Sequence, residues 1–304
     1  MSFAYRASAV AAAFQTLLNR IQLSSSDAAR FASHRSSVRA ALIGADGFDL
    51  NRLETIGSFA RQTAVRRTSD ADLIAVLRRA SVTTGGALQT SHTVLSKLRS
   101  VLCTRFWQTA IVRDAQAVVL DFGDGSHPVD VVPAVWEDQS GFRNHPVFLI
   151  PDGAGGWMAT SPTSHNRFLA EADARAGGKL TYTAQLVKFW CATRATPVPL
   201  SGFHIELLLA GERLCEGARS YSSMLCELFA LLANRQCAAL NDPISISGRI
   251  AAARTDAKRA SAIASVEAAA DHAERAVAAE RRGQEVEAMR QWDLVFNGCF
   301  TRWS

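Results

Sequence analysis

An α+β fold is what the sequence predicts, with a mixed β-sheet backed by helices and followed by a helical lobe. Two apolar, β-branched runs bounded by turn residues, at 73–77 and 129–135, read as buried strands. Segments with helical spacing flank them, and from about residue 162 the chain reads as mainly helical. Near the C-terminus, residues 251–280 contain fourteen alanines, enough for a long helix on propensity alone.

Residues 5–22 and 25–43 read as two helices expected to back the sheet. Leu17, Leu18 and Ile21 supply apolar positions on the first, and Ser24-Ser25-Ser26-Asp27 supplies a turn and an N-cap. Asp70 and Asp72 precede Leu73, Ile74, Ala75, Val76 and Leu77, a run of strand length that suits a buried central strand. Residues 87–104 read as another helix, and its His92 has no second ligand at metal spacing. Ala117, Val118, Val119 and Leu120 form a strand-like run. The Gly123-Asp124-Gly125-Ser126 turn then leads to a second run through Val135, a hairpin signal. Gly85-Gly86, residues 153–156 and Gly177-Gly178 read as loops outside any Walker or Rossmann pattern. Ser161-Pro162 opens a helix to about 174, and another runs from about 179 to 193. Gly283 ends the alanine-rich helix, after which Val286, Met289, Trp292 or Asp293, and Phe296 fall at helical spacing as a core stripe.

The composition fits a cytoplasmic chain with a substantial core. Hydrophobic residues make up 48% of it, and no uninterrupted apolar stretch is long enough to span a bilayer, so no membrane partner is expected. The start, MSFAYRASAVAAAF, reads as an amphipathic helix rather than a leader. Six cysteines without C-x-x-C spacing are expected as reduced thiols. A net charge of +5 does not by itself imply nucleic acid. Triphosphates explain an excess of Arg around a site, and a nucleic-acid groove would show a longer basic stripe with interleaved aromatics. Arg61, Arg66, Arg67, Arg78 and Arg79 flank the acidic strand. One or two of them, Arg61 among these, are expected to meet phosphate and the others to be solvated.

The chemistry is carried by a spacing. Ser58 of the Gly57-Ser58 pair stands twelve residues before Asp70. Positions 70 and 72 share a strand face, and two such carboxylates repel unless a divalent cation neutralises them. Magnesium suits the place, because it takes one or two carboxylates and completes its shell with water and substrate phosphates. Gly57 lets the backbone approach a phosphate, and Ser58 adds a hydroxyl. Each motif alone is equally an ordinary strand start or turn. Asp130, a lone acid in a β-branched strand, strengthens the reading as a third ligand that orients or deprotonates an attacking hydroxyl. Nucleotidyl transfer with two Mg²⁺ (or Mn²⁺) ions held by Asp70, Asp72 and Asp130 is the expected chemistry. Asn166 suits the reading of a base edge through its amide, and equally the capping of a helix.

At these residues the chain resembles the bacterial cGAS/DncV-like nucleotidyltransferases (CD-NTases), within the DNA polymerase β-like superfamily. The likeness rests on Thr55-Ile56-Gly57-Ser58-Phe59 with Arg61 and Thr63, Ser69-Asp70-Ala71-Asp72-Leu73, and Pro128-Val129-Asp130-Val131-Val132-Pro133. Lys188-Phe189-Trp190, residues 201–207, Asn241-Asp242-Pro243, Trp292 and Phe296 extend it over roughly residues 10 to 300. The resemblance implies a nucleotidyltransferase core at 1–160, including the N-terminal helices, and a helical lobe at 161–304 that together form a two-lobed cleft. The extreme N- and C-terminal helices would pack across the lobes. It implies that Lys188 contacts nucleotide phosphates and that Phe203 stacks on a base. Gly202 stands where many relatives have a serine that touches phosphate, which leaves that contact to Ser201.

The implied activity is synthesis of a cyclic di- or trinucleotide from nucleoside triphosphates, ATP among them. The product would be a second messenger recognised by a separate effector in anti-phage defence of the CBASS type. A regulatory protein or a nucleic-acid activator is a partner such relatives can have. One alternative is a nucleotidyltransferase of the same superfamily that modifies an RNA, small-molecule or protein acceptor. Another is a catalytically silent nucleic-acid-binding module, with affinity falling steeply with salt.

Overall fold

The computed structural model describes residues 8–66, 68–125, 128–138 and 145–301. Arg67, Ser126 and His127 lie outside the described residues, as do positions 5–7 of the expected first helix. The elements run α1 (Ala9–Ile21), α2 (Ser25–Leu42), β1 (Leu50–Thr55), α3 (Gly57–Ala60), β2 (Ala71–Leu77), β3 (Thr83–Thr84) and β4 (Ala87–Leu88). They continue with α4 (Ser91–Arg105), β5 (Ala110–Asp114), β6 (Ala117–Asp121), β7 (Val129–Asp138), β8 (Val147–Pro151), β9 (Trp157–Thr160) and α5 (Pro162–Arg175). The last are α6 (Lys179–Ala192), α7 (Gly202–Gly211), α8 (Tyr221–Asn234), β10 (Leu240–Asn241), β11 (Arg249–Ile250), α9 (Asp256–Arg281) and α10 (Glu285–Val295).

The chain divides into two compact units. The sheet unit comprises Leu23–Phe168 with Ile244–Gly248; the helical unit comprises the segment ending at Gln22, Leu169–Pro243 and the segment from Arg249 onward. In the sheet unit the strand order is β1-β2-β7-β6-β5, with β8 on β7 and β9 on β8. Among the described residues only β2 and β7 run parallel, so the sheet is mixed. Strand alternation sends Leu73, Ala75 and Leu77 to a face covered by Val38 and Leu42 of α2 and Leu95, Leu98 and Leu102 of α4. Ile74, Val76 and Ala134 go to the opposite face, in a smaller cluster with Phe148. Asp72 and Asp130, two positions before Ile74 and Val132, share that less covered face.

The helical unit is built around aromatic packing. Phe14 of α1 meets Trp292 at 5.1 Å and Phe300 at 4.8 Å between ring centroids, both edge-on. Val10, Leu17, Leu18 and Ile21 bury the same face of α1, which packs on α6, α8 and α10. The first helix, expected to back the sheet, is part of the helical unit, where its apolar stripe has aromatic partners, and α2 lies on the sheet. In α9 the buried positions are Val266 and alanines at 262, 269, 273, 276 and 279, small side chains that allow close approach to α8 and α10.

Two local readings change. Ala87 and Leu88 pair with Thr84 and Thr83 around Gly85-Gly86, so α4 starts only at Ser91, after a Thr90 cap that accepts from the Thr93 N–H at 3.2 Å. Val286 is 87% exposed on the first turn of α10, whose buried stripe is Ala288, Gln291, Trp292 and Val295. All six cysteines are unpaired thiols, as expected. No helix among the described residues is long and apolar enough to cross a membrane.

Candidate active site

The chain leaves β1 at Thr55 and turns against the strand it pairs with. The Ile56 N–H donates to the Asp72 carbonyl at 2.9 Å, and Gly57 follows with φ +65°. A Cβ at Gly57 would lie 1.9 Å from Asp72 Oδ2 and 2.6 Å from its Cγ. The turn backbone thus rests directly on the Asp72 carboxylate, and only glycine permits both the approach and the left-handed conformation. The one-turn helix α3 begins here, and its first N–H groups have no acceptor within the helix. Ser58 lies in that turn, and its carbonyl accepts from the buried Thr63 N–H at 3.0 Å.

Asp72 and Asp130 are direct register partners across the parallel β2–β7 pair. Neighbouring strands lie about 4.8 Å apart, so the two carboxylates leave the sheet side by side on one face. Asp70 precedes the first strand residue, Ala71, whose N–H donates to the Pro128 carbonyl at 2.9 Å. Among the described residues, no group of three or more His, Cys, Asp or Glu side chains converges as a ready-made metal cage. The donor set still fits magnesium. That ion binds through one or two carboxylates and takes its other ligands from water and substrate phosphate.

Arg61 caps α3 and points its guanidinium at Asn166 Oδ1, 3.4 Å away on α5, so two of the expected nucleotide-binding residues meet each other. Asn166 sits in the second turn of α5 and is not its cap; the chain enters that helix at Ser161, whose carbonyl accepts from the His165 N–H at 3.0 Å. Arg66 pairs with Asp27 at 3.4 Å. Arg78 pairs with Asp49 and Arg79 with Glu137, at 3.2 and 3.1 Å, beyond the far end of β2. Arg78 stands six positions beyond Asp72, roughly 20 Å along the strand, which removes both arginines from the acids.

In the helical unit, Lys188 Nζ on α6 lies 2.5 Å from Glu206 Oε1 on α7, with side-chain exposures of 12% and 1%. Gly202 makes room for this lysine: a Cβ there would come within 2.7 Å of Lys188 Cε. A serine at 202 would press on that stem. Ser201 is the N-cap of α7, its hydroxyl oxygen accepting from the His204 N–H at 3.3 Å, which leaves its O–H to donate elsewhere. Phe203 is half-buried in the first turn of the same helix. Burial holds the His204 pKa below its ordinary value, and the ring donates from Nε2 to the Ala238 carbonyl at 3.0 Å as a neutral imidazole.

Two residues carry more than their sequence reading assigned. Glu206 is the one acid in the otherwise apolar run Ile205-Glu206-Leu207-Leu208-Leu209, a pattern that flags a buried acid in need of a cation. Asp27 was expected only in a cap, yet it also takes two arginines.

Known proteins share this fold. A family model described as Second Messenger Oligonucleotide or Dinucleotide Synthetase domain matches residues 9–172. A probable cyclic nucleotide synthase from Bacillus cereus strain VD146 is 24% identical over 168 residues, which cover 47% of this chain and 50% of that one. The match thus spans about half the length of that curated relative. Among solved structures, Escherichia coli MS115-1 CdnC with ATP has a TM-score of 0.72 at 19% identity, covering 96% of this chain and 98% of that one. The same protein in complex with HORMA-deltaN gives 0.70 at 20% identity with the same coverage. Bradyrhizobium diazoefficiens CdnG in complex with GTP gives 0.68 at 15% identity, covering 96% and 99%. At these identities the likeness is one of fold.

Proposed function

The chain belongs to the Second Messenger Oligonucleotide or Dinucleotide Synthetase family, and on that premise we propose that it joins nucleoside triphosphates into a cyclic di- or trinucleotide. The observation that carries this is the Gly57 turn seated on Asp72, itself in register with Asp130. It supports phosphate binding at the turn, next to two carboxylates on one sheet face. In the reaction a ribose hydroxyl oxygen of one nucleotide attacks the α-phosphorus of another. The new O–P bond forms as the bond to the β-phosphate bridge breaks, and pyrophosphate leaves.

Gly57 and Ser58 hold the triphosphate, with Arg61 and Asn166 on the same unit contributing contacts to phosphate and base. Asp130 orients the attacking hydroxyl and accepts its proton. Asp70, Asp72 and Asp130 would hold Mg²⁺ or Mn²⁺, which supplies charge neutralisation at the α-phosphate and the departing pyrophosphate. Fixed positioning and electrostatics supply most of the rate. In the helical unit, Lys188 and Ser201 are assigned to phosphate and Phe203 to stacking on a base. The neighbours CdnC with ATP and CdnG with GTP support triphosphate substrates. The CdnC complex with HORMA-deltaN supports a regulatory protein partner. The product acts as a second messenger for a separate effector in anti-phage signalling, and the enzyme works in the cytoplasm.

The test is incubation of the chain with four labelled triphosphates and Mg²⁺ or Mn²⁺, followed by phosphatase treatment and mass spectrometry. A phosphatase-resistant cyclic product is expected, and none from the Asp70→Ala/Asp72→Ala variant, which stays folded. Wild-type turnover by that variant overturns the assignment. Incorporation that requires an added RNA, small molecule or protein would reassign the activity to acceptor modification.

A further inference from the structure

Val65, Thr68 and Ser69 close a turn just before Asp70. Ser69 Oγ accepts from the Val65 N–H at 2.9 Å, and the Val65 carbonyl accepts from the Ser69 and Thr68 N–H groups at 3.2 and 3.3 Å. Ala64 and Val65 are buried, so this turn is a packed unit that hands the chain to Asp70. Arg66 leaves the turn toward the N-terminus of α2, where Asp27 receives it at 3.4 Å.

Asp27 is unusually committed for a capping residue. It accepts from the Ser24 N–H at 2.9 Å, the Ser24 hydroxyl at 2.6 Å and Arg30 at 2.9 Å, and it is only 7% exposed. A capping box functions at an exposed helix end, and burying its carboxylate adds a desolvation cost that the cap does not require. Two arginines offset that cost, and one of them belongs to the turn before Asp70. Further along, α2 is anchored to the sheet through Val38 and Leu42, in one core with Leu73 and Ala75 of β2. The carboxylate therefore connects a helix already fixed to the acidic strand with the loop that delivers the first acid.

We propose that Asp27 is a positioning residue that acts through Arg66 to hold the turn closed by Val65, Thr68 and Ser69, and with it Asp70, in place for metal and triphosphate. The role of Asp70 in this statement rests on the function proposed above; the mechanical link does not. Asp27 touches no substrate, and Arg66 serves as a tether and not as a phosphate ligand.

The experiment compares wild type with Asp27→Asn, Arg66→Met and the double variant. In the metal-free protein, amide hydrogen exchange at residues 63–72 is expected to rise at least tenfold in each single variant, with exchange in β5 and β6 unchanged. With triphosphate, kcat is expected to fall about 10- to 100-fold, the loss typical of a catalytic group misplaced by about an ångström. The half-saturating Mg²⁺ concentration is expected to rise while KM for triphosphate stays within twofold, and the double variant should be no worse than either single one. Unchanged exchange and kcat with only a lower melting temperature would reduce Asp27 to a helix cap and overturn the proposal. A raised KM in Arg66→Met but not in Asp27→Asn would make Arg66 a phosphate ligand and overturn it equally. A wild-type protein without metal-dependent pyrophosphate release would sink the function reading, while the exchange result would still decide the tether.

Discussion

Removing Lys188 tests how the helical unit is held together. Glu206 is fully buried on α7, and its carboxylate lies 2.5 Å from the Lys188 ammonium. Truncating one partner of a buried ion pair leaves the other charge desolvated, at a cost of about 3–5 kcal/mol. For a unit of this size, that lowers the melting temperature by roughly 6–20 °C. Replacing both partners by apolar groups of similar volume is often neutral or stabilising, so Lys188→Met/Glu206→Leu should recover most of the loss. The measurement is thermal and urea unfolding of wild type, Lys188→Met, Glu206→Leu and the double variant, read as a double-mutant cycle. The double variant also separates structure from substrate contact: a folded protein whose KM for triphosphate has risen would carry the phosphate role assigned to Lys188. If Lys188→Met unfolds at the wild-type temperature, or the double variant is no better than the worse single one, the reasoning about this buried pair is wrong.

Gly57→Ala should remove activity by at least 100-fold, because its Cβ would lie 1.9 Å from Asp72 Oδ2. Gly44→Ala, at φ +72° with open space around it, should cost only the backbone strain of about 1–2 kcal/mol and leave turnover intact. Equal effects at the two positions would show that strain, and not the approach to Asp72, is what matters at Gly57. Acid sensitivity should follow Asp27, whose pKa is lowered from the ordinary 3.8 to about 2. The Ser24 hydroxyl is the main cause, burial opposes it, and the Ser24 amide, Arg30 and Arg66 add to it. A depressed carboxylate pKa contributes stability that is fully present above about pH 4 and is lost as pH falls toward 2. Urea midpoints of wild type should therefore fall more steeply over that window than those of Asp27→Asn, and parallel curves would refute the assignment.

Features settled over short stretches of chain were legible in the sequence. The apolar run after Asp72 is a strand because five consecutive residues suit a sheet buried on both faces. The alanine-rich segment is a helix because propensity accumulates over its 26 residues. The capping cluster at residues 24–27 starts α2 for the same local reason. Misreadings arose where a local signal had two outlets. Residues 87–88 satisfied helical spacing, but a two-glycine turn folded them back on Thr83 and Thr84. Val286 fitted the stripe of α10, yet the helix starts only one residue before it, and the stripe that meets the core begins at Ala288.

By itself, then, the sequence determined the kinds of element, the acids and the glycine turn, since period, turn chemistry and the family motifs are properties of neighbouring residues. Only the tertiary structure decided which residues meet. It put Asp130 beside Asp72 through the parallel register of β2 and β7, seated Gly57 on the Asp72 carboxylate, and joined Lys188 to Glu206 across two helices. It also drew α1 to the helical unit and brought Arg66 to Asp27. Each of these pairings is chosen by burial and charge compensation between segments distant along the chain, and no local pattern of residues encodes that choice.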